Sequence, residues 1–171
     1  FRFYTRLNLS ELTGLKASNL PELLGLIKEA SDSAIYHHTH RFLLQHQYLS
    51  PEPPNDFAYW VTTALNEDRL GEKLASIDTM KYLTISDLRE KIVAAIEAYL
   101  KAYPNSAKRL APENEVFYLI KCVSFVMPTP YVANDLKEFA EMLKKVTLDS
   151  IYFHMFEARL RLERKSNDFS L

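Results

Sequence analysis

Apolar and polar residues alternate at the start of the chain, a pattern that predicts a half-buried β-strand. The alternating positions are Phe1, Phe3, Leu7 and Leu9 against Arg2, Tyr4, Arg6 and Asn8. A second apolar run covers residues 116–127 and is interrupted only by Lys121 and Ser124. It predicts a strand that is more deeply buried than the first.

The rest of the chain has the 3.6-residue apolar spacing of amphipathic helices. After the loop TGLKASN, Asn19 is the predicted N-cap of the helix NLPELLGLIKEA. After the loop PTPYVAN, Asn134 or Asp135 caps a second helix. Further helices are predicted in the histidine-rich segment 31–49, in DFAYWVTTAL after the cap Asn55, in NEDRLGEKLASID, and in ISDLREKIVAAIEAYLKAY after the cap Ser86.

Two segments resemble each other when the chain is shifted by 116 residues, which suggests an internal duplication. Matching pairs in register are Phe1/Phe117, Thr13/Thr129, Ile35/Ile151, Tyr36/Tyr152 and His38/His154. We therefore predict an α+β, predominantly α-helical fold, with two pseudo-repeats of strand-helix-helix and a helical insertion between them. One domain would span residues 1–171, with copy one at 1–103, a linker at 104–114 and an incomplete copy two at 115–171, as though trimmed from a longer protein.

Composition removes several classes of function. The net charge of -1 gives no whole-molecule attraction for nucleic acid or an anionic membrane. Three glycines leave no phosphate-binding glycine motif, and no apolar run reaches membrane-spanning length. A single cysteine, Cys122, permits no internal disulfide and fits a reducing compartment. We therefore expect a cytoplasmic protein without a cofactor.

Four of the five histidines lie between positions 37 and 46, and they allow two interpretations. On an α-helix, His38 falls on the apolar face, as His154 does in the second segment. This placement predicts two buried histidines, each bonded to one partner. His37 and His40 would point more towards solvent or a neighbouring element. At i and i+3 they could share a metal ion if a third ligand came from elsewhere.

Two further combinations suggest chemistry. Arg41 and His46 form an R-x4-H pair similar to the signature of the HEPN ribonucleases, which would suit phosphoryl transfer. The patterns Tyr-x-His and Asn-Asp-Phe recur at Tyr152–His154 and at 167–169, so Tyr152 and His154 are further candidate binding residues. In one interpretation Asn55 and Asn167 are helix N-caps, with an aspartate at the positive end of each helix. In the other, Asp56 reaches His38 across the helix junction and makes it a charge switch, with Tyr36, Tyr59 and Trp60 walling a pocket.

The run IYHHTHRFLLQHQYLSPEPPNDFAYWV, followed by LGEKLASID and LREKI, resembles a family of uncharacterised prokaryotic proteins. Some members look like companions or extensions of trehalose-synthase-like glycosyltransferases, so the resemblance implies an accessory or regulatory role.

The predicted function is a non-catalytic accessory or ligand-binding module, linked to carbohydrate metabolism. The alternative is a metal-dependent or HEPN-like enzyme using the cluster from His37 to His46. Expected partners are a second copy or further residues of a longer protein, and a glycosyltransferase, but neither nucleic acid nor a membrane.

Overall fold

A computed structural model describes residues 1–41, 55–158 and 167–170. The strands are β1 (Arg2–Ala17) and β2 (Phe117–Val132), which form a two-stranded antiparallel sheet. The α-helices in the described part are α1 (Leu20–Glu29), α2 (Asp32–Tyr36), α3 (Asp56–Thr63), α4 (Asp68–Ala75), α5 (Ile85–Ala102), α6 (Leu136–Leu143) and α7 (Leu148–Tyr152). Two π-helical segments follow α2 and α7, at His37–Arg41 and Phe153–Glu157. Short 3-10 turns lie at Thr79–Lys81, Pro104–Lys108, Glu113–Glu115 and Asp168–Ser170.

Both strands are longer than the sequence pattern indicated. The segments 13–17 and 128–132, predicted as loops, continue the strands. Pro128 and Pro130 fit because each strand of a two-stranded sheet has an outer edge, where a missing N–H costs no ladder bond. The Thr13 hydroxyl also donates to the Leu119 carbonyl across the strands, at 2.7 Å. Pairing across the sheet therefore outweighs the turn preference of proline and glycine.

The helix caps agree with the sequence at three places and differ at one. Asn19 caps α1 and Asn55 caps α3, each accepting a backbone N–H three residues on. Of the two candidates for α6, Asp135 is the cap. The prediction of Ser86 for α5 is wrong, because Thr84 makes that bond to the Asp87 N–H.

Contacts divide the described chain into two compact units. The larger unit, residues 10–122, buries a core of aliphatic and aromatic side chains: Leu20, Leu23, Ile27, Ile35, Phe57, Val61, Leu65, Leu70, Leu74, Leu88, Ile92 and Ile96. The smaller unit, residues 1–9 and 123–171, is centred on Phe3, Ala133 and Val146, with Phe139 and Phe169 packed against them.

The predicted fold is wrong in its two pseudo-repeats. The described chain is α+β, 58% helical and 22% strand, with seven α-helices and one two-stranded antiparallel sheet. It does not support two pseudo-repeats of strand-helix-helix, because each compact unit takes part of both strands. The division of a single domain into copy one (1–103), a linker (104–114) and copy two (115–171) stays a prediction.

The histidine-rich segment is also not the regular α-helix that was expected. Residues 37–41 form a π-helix, whose i to i+5 bonds give a wider turn than the 3.6-residue spacing assumes. Tyr36, His37, His38, Thr39 and His40 are all buried. Of the two placements predicted for His37 and His40, towards solvent or towards a neighbouring element, the structure excludes the first.

Candidate functional site

His38 lies in the π-helix of the larger unit with both ring nitrogens bonded to protein atoms. Its Nδ1 is 2.5 Å from Asp56 Oδ2, and its Nε2 accepts the Ile120 backbone N–H at 3.0 Å. The side chain is 1% exposed, and its ring packs against the rings of Phe57 and Phe117. The sequence suggested the approach of Asp56 to His38, and the structure brings the two side chains together.

This bonding pattern defines the tautomer of His38. Because Nε2 accepts a backbone N–H, it carries no proton, so the ring proton is on Nδ1 and is donated to Asp56. Both ring nitrogens are thus used on protein atoms, and neither is free to contact a ligand. The charge switch at His38 stays a prediction.

An open cleft of about 500 Å³ adjoins Asp56 in the same unit. Its walls come from α3 and from the start of β2 with the turn before it, and the lining residues are Asp56, Tyr59, Trp60, Thr63, Ala64, Glu115, Val116, Phe117, Tyr118 and Ile120. The Asp56 side chain is 30% exposed there. His38 thus fixes one oxygen of Asp56 from the protein interior, and the carboxylate remains open to the cleft.

Aromatic side chains and carboxylates dominate this cleft. Tyr59 and Tyr118 are exposed, whereas Trp60 is mostly buried and donates its indole N–H to the Glu115 carbonyl at 2.6 Å. Among the residues lining the cleft, two are acidic and none is basic. Of the predicted aromatic wall, Tyr59 and Trp60 line the cleft, but Tyr36 does not, because it stacks on the His40 ring at 5.2 Å.

The buried position of His37 and His40 bears on the metal interpretation. The Thr39 hydroxyl donates to the Ile35 carbonyl at 2.7 Å, so His40 Nδ1, 2.9 Å away, is the donor to Thr39. Within residues 1–41, 55–158 and 167–170, no group of three or more His, Cys, Asp or Glu side chains is arranged to hold a metal ion. The described part of the chain thus offers no third ligand to this pair.

The prediction for Arg41 and His46 cannot be compared with the structure. Arg41 ends the first π-helix, and His46 lies outside the described residues. The enzyme alternative that rests on this pair therefore stays a prediction.

The smaller unit holds His154 by an equivalent set of bonds. His154 Nδ1 lies 2.8 Å from Asp168 Oδ2, and Nε2 accepts the Tyr4 backbone N–H at 2.8 Å. Tyr152, predicted as a binding residue, lies under the Arg6 guanidinium, 4.8 Å from the ring centre. Arg6 also forms a buried ion pair with Glu157. The sequence did not reveal this pair, because strand alternation placed Arg6 on the exposed face.

A second polar network in the larger unit was also missed. The Tyr99 hydroxyl donates to Glu67 Oε2 at 2.6 Å, and Arg109 Nε lies 3.2 Å from Glu67 Oε1. Burial, followed by the bond to Glu67, raises the pKa of Tyr99 above its usual value of 10.0. The three residues are far apart in sequence, and the one signal available is that Tyr99 lies at a position of the apolar stripe of its helix.

The chain belongs to a family of unknown function, DUF5752, whose model matches residues 1–171. Its structure is similar to that of OrfY from Thermoproteus tenax, with a TM-score of 0.87 and 30% sequence identity over 99% of this chain and 75% of that chain. No curated protein matches the chain. The family has no assigned function, so the comparisons establish the fold but not the role of the cleft. That role has to be inferred from the chemistry of the residues that line the cleft.

No helix in the described part of the chain is long and apolar enough to cross a membrane.

Proposed function

We propose that the chain is a non-catalytic accessory module that binds a neutral, hydroxyl-rich ligand, a small saccharide, in the cleft beside Asp56. The observation that carries the proposal is a carboxylate held in place by a buried histidine at the wall of an aromatic cleft. A volume of about 500 Å³ lies in the range of small-molecule sites and accommodates one or two sugar rings.

The chemistry of the lining suits a saccharide. The faces of Tyr59 and Tyr118 offer flat apolar surface for the C–H face of a sugar ring. The carboxylate of Asp56 accepts hydroxyl protons, and such charge-assisted bonds are stronger than neutral ones. No lysine or arginine is among the described residues of the lining, which disfavours an anionic ligand.

A cation is the other ligand that aromatic rings and carboxylates attract. Here the charge of Asp56 is already compensated in part. Its Oδ2 accepts the Nδ1–H of His38, and the residue begins α3, where the helix dipole is positive. Asp56 is therefore better suited to accept hydrogen bonds from hydroxyl groups than to neutralise a cation.

The same geometry disfavours a catalytic role for His38. A general base needs a free nitrogen or oxygen within reach of a substrate proton. His38 is buried and uses both ring nitrogens on protein atoms. Under this proposal, the ligand links the module to carbohydrate metabolism, and a glycosyltransferase is the partner whose activity it would serve.

Calorimetric titration with a panel of mono- and disaccharides tests the proposal. We expect Tyr59→Ala and Tyr118→Ala each to weaken binding of the sugar that binds best, by about tenfold, since each removes one stacking surface. Tyr103→Ala is the matched control, because Tyr103 is similarly exposed in the same unit but lies outside the cleft. Binding of choline in place of any sugar, or equal losses in all three variants, would contradict the proposal.

A further inference from the structure

A second cleft of about 400 Å³ lies in the larger unit and differs in character from the aromatic one. It is formed by the end of α4, the Thr79–Lys81 turn and the middle of α5. Its lining residues are Lys73, Ser76, Ile77, Asp78, Lys81, Tyr82, Lys91, Ala94 and Ala95. We call it the lysine cleft.

The lysine cleft concentrates positive charge from three different elements. Lys73 comes from α4, Lys81 from the 3-10 turn and Lys91 from α5, against a single acidic residue, Asp78. The lining thus carries a net charge of +2, from three lysines and one aspartate. Like charges around one concave surface repel each other, and an anion placed among them relieves that repulsion.

Two of these lysines have no acidic partner among the described residues. Lys81 lies 3.6 Å from Asp78, but in the described part of the chain neither Lys73 nor Lys91 forms an ion pair. Their charges differ in this respect from those of Lys28, Lys121 and Lys144, which are paired with Glu97, Glu11 and Glu141. Lys101 and Lys108 are likewise unpaired within the described ranges, so what distinguishes Lys73 and Lys91 is their place around one cleft. The ammonium groups of Lys73 and Lys91 are therefore available to an anionic ligand at this cleft.

The remaining wall is apolar and suits an organic group. Ile77 and Ala95 are buried side chains at the cleft, and Ala94 and the ring of Tyr82 extend the same wall. A bare inorganic anion would make no use of that surface. We propose that the lysine cleft binds a phosphorylated small organic molecule, with the phosphate among the lysines and the organic part against Ile77, Ala94 and Ala95.

This site is independent of the aromatic cleft, and its test uses the intact chain. We would titrate the protein with glycerol 3-phosphate, inorganic phosphate and glycerol, and follow backbone amide shifts of residues in both clefts. We expect glycerol 3-phosphate to shift the amides of Ser76, Ile77 and Ala94, and glycerol to leave them unchanged. Added salt should weaken the binding, because the attraction is ionic.

Charge variants separate a real site from general attraction to lysines. Lys73→Gln with Lys91→Gln should weaken glycerol 3-phosphate binding by about tenfold or more, since two charge-assisted contacts are lost. Lys101→Gln with Lys108→Gln removes the same charge from exposed positions of the same unit outside the cleft, and should have no effect.

Three results would overturn the proposal: no shifts at millimolar glycerol 3-phosphate, equal weakening in both double variants, or inorganic phosphate binding as tightly as the organic phosphate.

Discussion

Two buried histidines in this chain are oriented by the same kind of bonds. Each accepts a strand backbone N–H at Nε2 and donates from Nδ1 to an aspartate, His38 in the larger unit and His154 in the smaller. A buried polar side chain stabilises a fold only when its groups are bonded, and here all ring nitrogens are. The consequence at the residue level is an aspartate held in one orientation, which is what the proposed ligand site needs.

Substitution of His38 should reduce stability. His38→Ala removes a buried ring and leaves the Ile120 N–H without an acceptor, so we expect the free energy of unfolding to fall by about 3 kcal/mol. Urea unfolding followed by circular dichroism measures the change. His154→Ala is the matched control: it should lower stability too, but leave sugar binding intact. A loss below about 0.5 kcal/mol for His38→Ala would show that the bonds contribute little.

Tyr99 should make stability fall at alkaline pH. Its pKa is raised in the folded chain, so the folded state holds the phenol proton more tightly than the unfolded state. The resulting stabilisation is complete below the unfolded pKa, about 10, and is lost as pH rises through the folded value. Ultraviolet titration should show one late-ionising tyrosine that disappears in Tyr99→Phe. Identical titration curves for the two proteins would contradict this assignment.

At the scale of elements, the helices were easier to predict than the strands. Asn19 and Asn55 each come directly before a segment with the apolar spacing of a helix, and both are N-caps. The strand ends were missed because Gly14 and the prolines near 130 are local turn signals, and a partner strand outweighs them. The π-helix at residues 37–41 was missed because apolar periodicity assumes an α-helix. The His38–Asp56 contact was suggested, whereas the cleft itself depends on packing of α3 with β2 that no local pattern encodes.

Two helical glycines should respond to alanine in opposite directions. A Cβ at Gly25 in α1 meets no atom within 4 Å, so Gly25→Ala should raise the free energy of unfolding by about 0.5–1 kcal/mol. A Cβ at Gly71 in α4 would lie 1.9 Å from the Thr62 Oγ1 atom, so Gly71→Ala should push α4 away from α3 and lower stability by about 1–3 kcal/mol. Urea midpoints measured side by side test both signs. A stabilising Gly71→Ala would contradict the close packing of α3 and α4.

At the scale of the whole molecule, exposed apolar side chains suggest self-association. In the smaller unit the side chains of Leu7, Leu9, Phe125, Met127, Leu136 and Leu148 are exposed. Large exposed apolar patches are uncommon on stable monomers and usually mark a contact. We expect the chain to form a dimer, and light scattering over a range of concentrations measures its mass. Leu9→Lys with Phe125→Lys should shift the mass to that of a monomer. A monomer of the unchanged chain at all concentrations would contradict the expectation.

The central claim is that the aromatic cleft beside Asp56 binds a saccharide, and Trp60 reports on it directly. Trp60 is the single tryptophan of the chain, and it lines the cleft. A saccharide that binds there should change its fluorescence in a saturable way. Asp56→Asn should weaken that response by about tenfold, because a carboxylate acceptor is replaced by a neutral amide. Asp149→Asn, an exposed substitution in the smaller unit, should not. No saturable change with any saccharide, or an unchanged affinity in Asp56→Asn, would contradict the account.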